Sequence, residues 1–191
     1  IEANGLIAVN DPHVSSKGPR SGIDRSYADV VLGKLEEVRD RANRDRLVTL
    51  FTGDLFQKPY EESEMVKSRL IDLLYSFWTQ ENIIIPGNHD MSGTRLSQRD
   101  SLSLIKASRA IMVHPEAGFF NQFVIDGKKI NVGGSPYGQA IPDDVERDDD
   151  VYRYIWLTHH NLPFSNNYKS KSPLAFKEIM GVDMGLNGHF L

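Results

Sequence analysis

Three short apolar runs, each ending abruptly in polar residues that can bind protons or metals, constrain this chain more than any other feature. Gly5-Leu6-Ile7-Ala8-Val9 runs into Asn10-Asp11-Pro12-His13, Leu47-Val48-Thr49-Leu50-Phe51 into Thr52-Gly53-Asp54, and Ile83-Ile84-Ile85 into Pro86-Gly87-Asn88-His89-Asp90. Runs of this length, rich in β-branched residues, read as buried strands. From Tyr27 to Arg46, Val30, Val31, Leu35 and Val38 recur at helical spacing with charges between them. Pro59 and the acidic Glu61, Glu62 and Glu64 suit the start of a second helix, continuing through Leu70, Leu73, Leu74 and Phe77. Strand, helix, strand, helix, strand predicts a parallel sheet with right-handed crossovers, all strands ending on one edge. Asp11 and Asp54 stand 43 positions apart (54 minus 11), and Asp54 and Asn88 another 34 (88 minus 54), yet that topology makes neighbours of Asp11, His13, Asp54, Asn88 and His89. The carboxyl edge of such a sheet is where α/β proteins place their chemistry.

Further along, a helix is predicted from Asp100 to Arg109 and a brief strand at Ile111-Met112-Val113. The pattern then changes: Phe120, Phe123, Ile125 and Ile130, Val132 flank Asp126-Gly127, a two-residue hairpin signal, and an antiparallel portion begins. Asp143 to Asp150 carries six acidic residues in eight, most simply a solvated loop. Tyr154-Ile155-Trp156-Leu157 predicts a buried strand ending in Thr158-His159-His160-Asn161. A helix is expected from Pro173 to Met180, and Met184-Gly185-Leu186 leads to Asn187-Gly188-His189. No repeat or linker interrupts the chain, so residues 1–191 are expected to form one domain. It opens on Ile1 and stops four residues past Asn187, within a motif, so one or both ends are expected to be incomplete.

The strand ends thus deliver Asp-x-His, Gly-Asp, Asn-His-Asp, His-His and Gly-His. The chain has no Cys, so any metal must be held by His, Asp, Glu or Asn, which points to manganese, iron, zinc or magnesium. This donor mixture suits two divalent cations about 3.5–4 Å apart sharing a carboxylate, an arrangement that clamps both oxygens of an in-line displacement at phosphorus. Phosphoester hydrolysis is the expected chemistry. A net charge of -4 argues against a protein that holds nucleic acid by a broad basic surface. No apolar run approaches the ~20 residues of a membrane helix and no signal-peptide pattern opens the chain, so a cytoplasmic protein without membrane contact is expected. His114, beside Pro115, reads as structural.

In order and spacing, Asp11-x-His13, Gly53-Asp54, Gly87-Asn88-His89-Asp90, His159 and Gly188-His189 resemble the five motifs of the calcineurin-like metallophosphoesterases, over nearly the whole chain. The resemblance implies an α/β fold, a four-layer α/β/β/α sandwich of two mixed sheets flanked by helices. It also implies two divalent cations, manganese first, with iron, zinc or magnesium as alternatives. Carried over by position, Asp11 and His13 would bind the first metal, Asp54 would bridge, and Asn88, His159 and His189 would bind the second. His159 and His160 compete for one position, and the resemblance favours His159, the residue after the strand. His89 would act on the phosphate as a catalytic group, with Asp90 orienting it, although Asp90 is also suited to capping a short helix. One departure stands out: the family ends this motif as Gly-His-x-His, whereas here the chain reads Gly188-His189-Phe190-Leu191, and Leu191 cannot bind a metal.

A finer resemblance rests on Thr52-Gly53-Asp54-Leu55-Phe56 with Pro59, on Ile85 to Asp90, and on Asp100-Ser101-Leu102. These look like the nuclease subunit of the SbcCD type and its phage recombination relatives. That implies an exonuclease or endonuclease of DNA repair or recombination in a bacterial or phage-infected cell, with an SMC-like, SbcC-type ATPase as partner; a homodimer is a separate expectation that the sequence itself does not fix. Lys17, Arg20 and Arg25 in the first long loop, with Arg95 and Arg99, are the candidates for DNA phosphate contacts. Two other readings stay open: a phosphatase or pyrophosphohydrolase acting on small molecules or phosphoproteins, and, because of Leu191, a degenerate non-catalytic binding protein.

Overall fold

The computed structural model describes residues 1–18, 26–160 and 179–189. Along the third strand, β3 (Leu47–Phe51), side chains alternate between two cores: Val48 and Leu50 pack with Ile83 and Ile85, while Phe51 packs with Ile84 on the opposite face. Both faces are covered, so every side chain but Thr49 is apolar and the strand does not alternate with exposed polar residues. It lies inside a four-stranded sheet in the order β2 (Gly5–Val9), β3, β4 (Ile83–Ile84), β5 (Met112–Val113), with every neighbouring pair parallel. Parallel neighbours need crossovers, and α1 (Tyr27–Asp45), α2 (Glu64–Tyr75) and α3 (Ser101–Ser108) supply them. Their buried residues, among them Leu32, Leu35, Leu70, Leu74, Leu102 and Ile105, form one core with Phe51 and Ile84.

α2 starts at Glu64, later than Pro59 and Glu61 suggest, because the Glu61 side chain is turned inward. It accepts hydrogen bonds from the Ser16 N–H (3.0 Å) and the Ser63 N–H (2.8 Å). Ser63 then caps the helix by accepting from the Val66 N–H.

The second sheet has five strands in the order β1 (Glu2–Ala3), β6 (Gly118–Ile125), β7 (Lys128–Ser135), β8 (Arg153–Thr158), β9 (Met184–Asn187). Among the described residues only β6 and β7 pair antiparallel; they form the expected hairpin, with Asp126 (φ 49°) and Gly127 (φ 71°) both left-handed, as a type I′ turn requires. The mixed character belongs to this sheet. It stacks on the four-stranded one through Phe123, Val132, Ile155 and Leu157, which meet Val48, Leu50, Ile83 and Ile85. On its outer face Tyr154 and Trp156 pack with Val145 and Val151, which anchor the otherwise exposed acidic loop. Two sheets flanked by helices are thus in place. The helix expected from Pro173 to Met180 lies, apart from Ile179 and Met180, outside the described residues, and Met180 forms a β-bridge with Asp144. No helix among the described residues is long and apolar enough to cross a membrane.

Candidate metal centre

The loops after β2 and β3 are joined by their backbones. His13 N–H donates to the Asp54 carbonyl (2.9 Å), Val14 N–H to that of Leu55 (2.8 Å), and Gln57 N–H to that of Val14 (3.1 Å), with a Val14–Phe56 bridge. Asp11 (φ 46°), His13 (φ 51°) and Asp54 (φ 51°) all sit in the left-handed region. For residues with a Cβ this costs on the order of 1–2 kcal/mol each, so packing and backbone bonds must hold them there. The other left-handed residues with a Cβ among the described residues, Arg46, Arg109 and Asp126, have ordinary reasons: two end helices and one lies in the hairpin turn.

Asp54 is only 2% exposed and its carboxylate is the hub of the site. Oδ1 accepts the His89 N–H (2.8 Å), while Oδ2 lies 3.3 Å from Nε2 of His159 and 3.9 Å from Nε2 of His13. Burial resists ionisation, but the hydrogen bond and charge of His159 and the His89 N–H outweigh it and hold the Asp54 pKa below the usual carboxylate value. The motif glycines allow this packing. A methyl group on Gly87 would overlap the Asp54 carboxylate, and one on Gly53 (φ 111°) would overlap the His159 ring.

His159 is wholly buried. Its Nδ1 lies 2.7 Å from the Thr52 carbonyl, to which only an N–H can bond, so the neutral ring carries its lone pair on Nε2. That Nε2 faces Asn88 Oδ1 (3.0 Å), Asp54 Oδ2 (3.3 Å) and His189 Nδ1 (3.3 Å). Four metal-competent atoms thereby converge, three of them, from Asp54, His159 and His189, within 4.8 Å of one another. Burial lowers the His159 pKa, but Asp54, the Thr52 carbonyl and Asp11 outweigh it and raise it. For His189, burial and the neighbouring His159 lower the pKa. The donor set fits a divalent cation. A second set stands beside it: Asp11 Oδ1 is 3.8 Å from Nδ1 of His159, and His13 flanks Asp54. Leu191 lies outside the described residues.

His160 points elsewhere. Its Nε2 lies 2.9 Å from the Gln139 carbonyl, and burial lowers its pKa. Asn187 clips both histidine-bearing strand ends together: its Oδ1 accepts the His160 N–H and the Thr158 hydroxyl (3.0 Å each), and its Nδ2 donates to the carbonyls of His160 (3.1 Å) and His189 (3.0 Å).

The orienting contact expected from Asp90 to His89 is made by a different residue. Nδ1 of His89 bonds to the Gln57 carbonyl (2.7 Å), and the ring stands edge-on to His13 with centroids 5.0 Å apart. The Asp90 carboxylate instead accepts three backbone N–H groups, from Phe56 (3.0 Å), Gly87 (3.0 Å) and Leu55 (3.3 Å), and so pins the loop after β3 to the loop after β4. Burial, with the Asp54 charge, pushes its pKa up to about 7 against those three donors. Asn88 to Asp90 form one 3₁₀ turn, in which Asp90 is fully buried.

Among the basic candidates, Lys17 is exposed and ion-paired with Glu62, Arg95 and Arg99 are exposed, and Arg20 and Arg25 lie outside the described residues. Sequence reading passed over Thr52, Gln57 and Asn187. It also passed over Tyr137, whose ring lies 6.5 Å from His159 and 6.4 Å from His160, and whose N–H bonds to the Pro86 carbonyl.

A family model described as calcineurin-like phosphoesterase matches residues 6–191. No curated protein matches the chain.

Proposed function

The chain belongs to the calcineurin-like phosphoesterase family, whose chemistry is metal-dependent phosphoester hydrolysis, and from that premise we propose that it is a dinuclear phosphodiesterase acting on DNA, a nuclease of the SbcCD type. The observation that carries the reading is the convergence of Asp54, Asn88, His159 and His189 around Nε2 of a histidine whose other nitrogen is taken by the Thr52 carbonyl. Asn88, His159 and His189 would hold one cation, Asp11 and His13 the other, with the Asp54 carboxylate between them. Divalent cations in such a site supply Lewis-acid charge to phosphoryl oxygens and a nucleophilic water at neutral pH.

The chain's own groups do the rest. With Nδ1 of His89 bonded to Gln57, Nε2 is the ring nitrogen left for substrate, suited to passing a proton to the leaving oxygen when the ring is charged. Asp90 is a positioning residue. Held by backbone N–H groups from two loops, it keeps Gly87 and Asn88 in register with Asp54.

The resemblance of Thr52 to Phe56, Ile85 to Asp90 and Asp100 to Leu102 to SbcCD-type nucleases supports DNA as substrate, with an SMC-like ATPase partner and a homodimer as further proposals. A small-molecule phosphatase is the second reading, favoured by the net charge of -4 and by the pairing of Lys17 with Glu62. Manganese-loaded protein is expected to cut single-stranded or duplex DNA and to prefer bis(p-nitrophenyl) phosphate over p-nitrophenyl phosphate. Asn88→Ala and His89→Ala are expected to abolish cutting; undiminished cutting by both variants overturns the assignment, and a preference for the monoester turns it to the second reading.

A further inference from the structure

Beside the His89 loop, a cleft of about 620 Å³ opens between the segment after β3 and the start of α3, with Pro59, Tyr60, Arg99 and Leu104 on its walls. Pro59 is two residues from Gln57, whose carbonyl holds the His89 ring, and the opposite wall at Ser92 is three residues from His89. Even a fully extended backbone keeps Ser92 within ~10 Å of His89. The floor is built in advance. The buried Asp100 carboxylate accepts N–H groups from Ser92 (3.2 Å) and Ser97 (2.7 Å), Ser101 N–H donates to the Pro59 carbonyl (2.6 Å), and the Ser101 hydroxyl accepts the Glu61 N–H (2.8 Å). Over this fixed floor Tyr60 is left 61% exposed, with the ammonium of the buried Lys67 5.4 Å from its ring centroid.

We propose that this cleft is a nucleobase subsite, which takes the base of a nucleotide beside the scissile phosphate and stacks it on Tyr60. The inference rests on the phosphodiesterase reading above. The charge pattern selects a base over a second phosphate: Lys67 and Arg99 are balanced by Glu64 and Asp100, and Lys67 is already bonded to Glu64 (2.6 Å). A neutral, flat ring with a polar edge matches an aromatic face, the apolar Leu104 and the Gln98 amide, which offers both a donor and an acceptor. Stacking on an aromatic side chain tolerates any base, so the subsite would hold a strand without reading its sequence.

Calorimetric titration of manganese-loaded protein with deoxyadenosine monophosphate and with deoxyribose 5-phosphate isolates the base. The nucleotide is expected to bind about tenfold more tightly. Tyr60→Ala is expected to erase that gap and Tyr60→Trp to keep it. Equal affinities in the unmodified protein, including no binding of either ligand, overturn the proposal, and so does a gap that survives Tyr60→Ala. Hydrolysis of bis(p-nitrophenyl) phosphate, which carries no base, is measured in parallel: a protein that hydrolyses it without base preference keeps its proposed function and loses the subsite.

Discussion

The Thr52 carbonyl lies 2.7 Å from Nδ1 of His159, and this bond commits the other ring nitrogen to the cluster formed with Asp54, Asn88 and His189. Partners that fix a ligand's tautomer are worth ~10–100-fold in metal affinity, and removing the ligand itself costs at least as much. His159→Ala is therefore expected to lower activity by at least ~100-fold and to reduce bound metal, while His160→Ala spares the metal content. Elemental analysis of the two variants beside the parent chain checks this, and equal metal in all three would contradict the assignment.

His89 gives its N–H to Asp54 and its Nδ1 to Gln57, and neither bond enlists the ring in holding a cation. His89→Ala is expected to lower kcat by ~10²–10⁴, the usual worth of a positioned acid or base, with metal content unchanged. Steady-state kinetics combined with metal analysis separates this from the His159 variant; a loss of metal on truncating His89 would make it a ligand instead.

Gly87 has an ordinary φ of -93°, so alanine there is not strained by backbone conformation. The obstacle is Asp54, whose carboxylate and backbone nitrogen a methyl group would both overlap. Overpacking of this kind costs ~1–3 kcal/mol, which for a domain of this size lowers the thermal midpoint by ~2–12 °C. Gly87→Ala is expected to show that loss by calorimetry together with weaker metal binding. An unchanged midpoint would mean that the Asp54 side chain and the backbone of its loop both move aside freely.

Asp90→Asn keeps the shape of the side chain but turns an amide N–H₂ toward backbone donors. Leaving a buried donor unsatisfied costs ~1–3 kcal/mol, so denaturant unfolding is expected to show at least that loss. A variant as stable as the parent would mean that the three backbone bonds contribute little.

His114 stacks on Phe120 with ring centroids 4.2 Å apart, and burial, helped by the Lys106 charge, lowers its pKa. The folded protein thus binds the His114 proton less readily than the unfolded chain. Its contribution is fully present above the unfolded value near 6.5 and is lost as pH falls below that, through the lowered folded value. His114→Phe preserves the stack and removes the titration, so the fall in thermal midpoint from pH 7 to pH 5 is expected to be shallower than in the parent. An equal fall would assign the acid sensitivity to other groups.

The strands that carry the site were legible because their apolar runs end so sharply in Asp11, Asp54 and Asn88, and because the helical spacing between them forces parallel pairing. What escaped reading runs through main-chain atoms. The Thr52, Gln57 and Gln139 carbonyls decide which nitrogen of His159, His89 and His160 is free, and every residue type carries a carbonyl. Asp90 reads in the sequence as an acid that orients the adjacent His89, but its partners are three N–H groups, which sequence does not display. Asn187 reads only as the polar residue leading into Gly188-His189, and its clip across β8 and β9 follows from the parallel register that sets Thr158 opposite Asn187. Glu61 reads as a helix-start residue because an acidic side chain before a helix looks the same whether it faces water or, as here, Ser16.

The pairing of the loop after β2 with the loop after β3 bears on when the centre comes into being. His13, Val14 and Gln57 lend their amide protons to bonds between these loops, and Val14, Leu55 and Phe56 are sealed in the interior. The donors contributed by the two loops cannot drift apart unless the neighbouring strands separate as well. Amide exchange at His13 and Val14 should then be as slow as in the middle of β3, and assembly of the centre and completion of the sheet become one cooperative event.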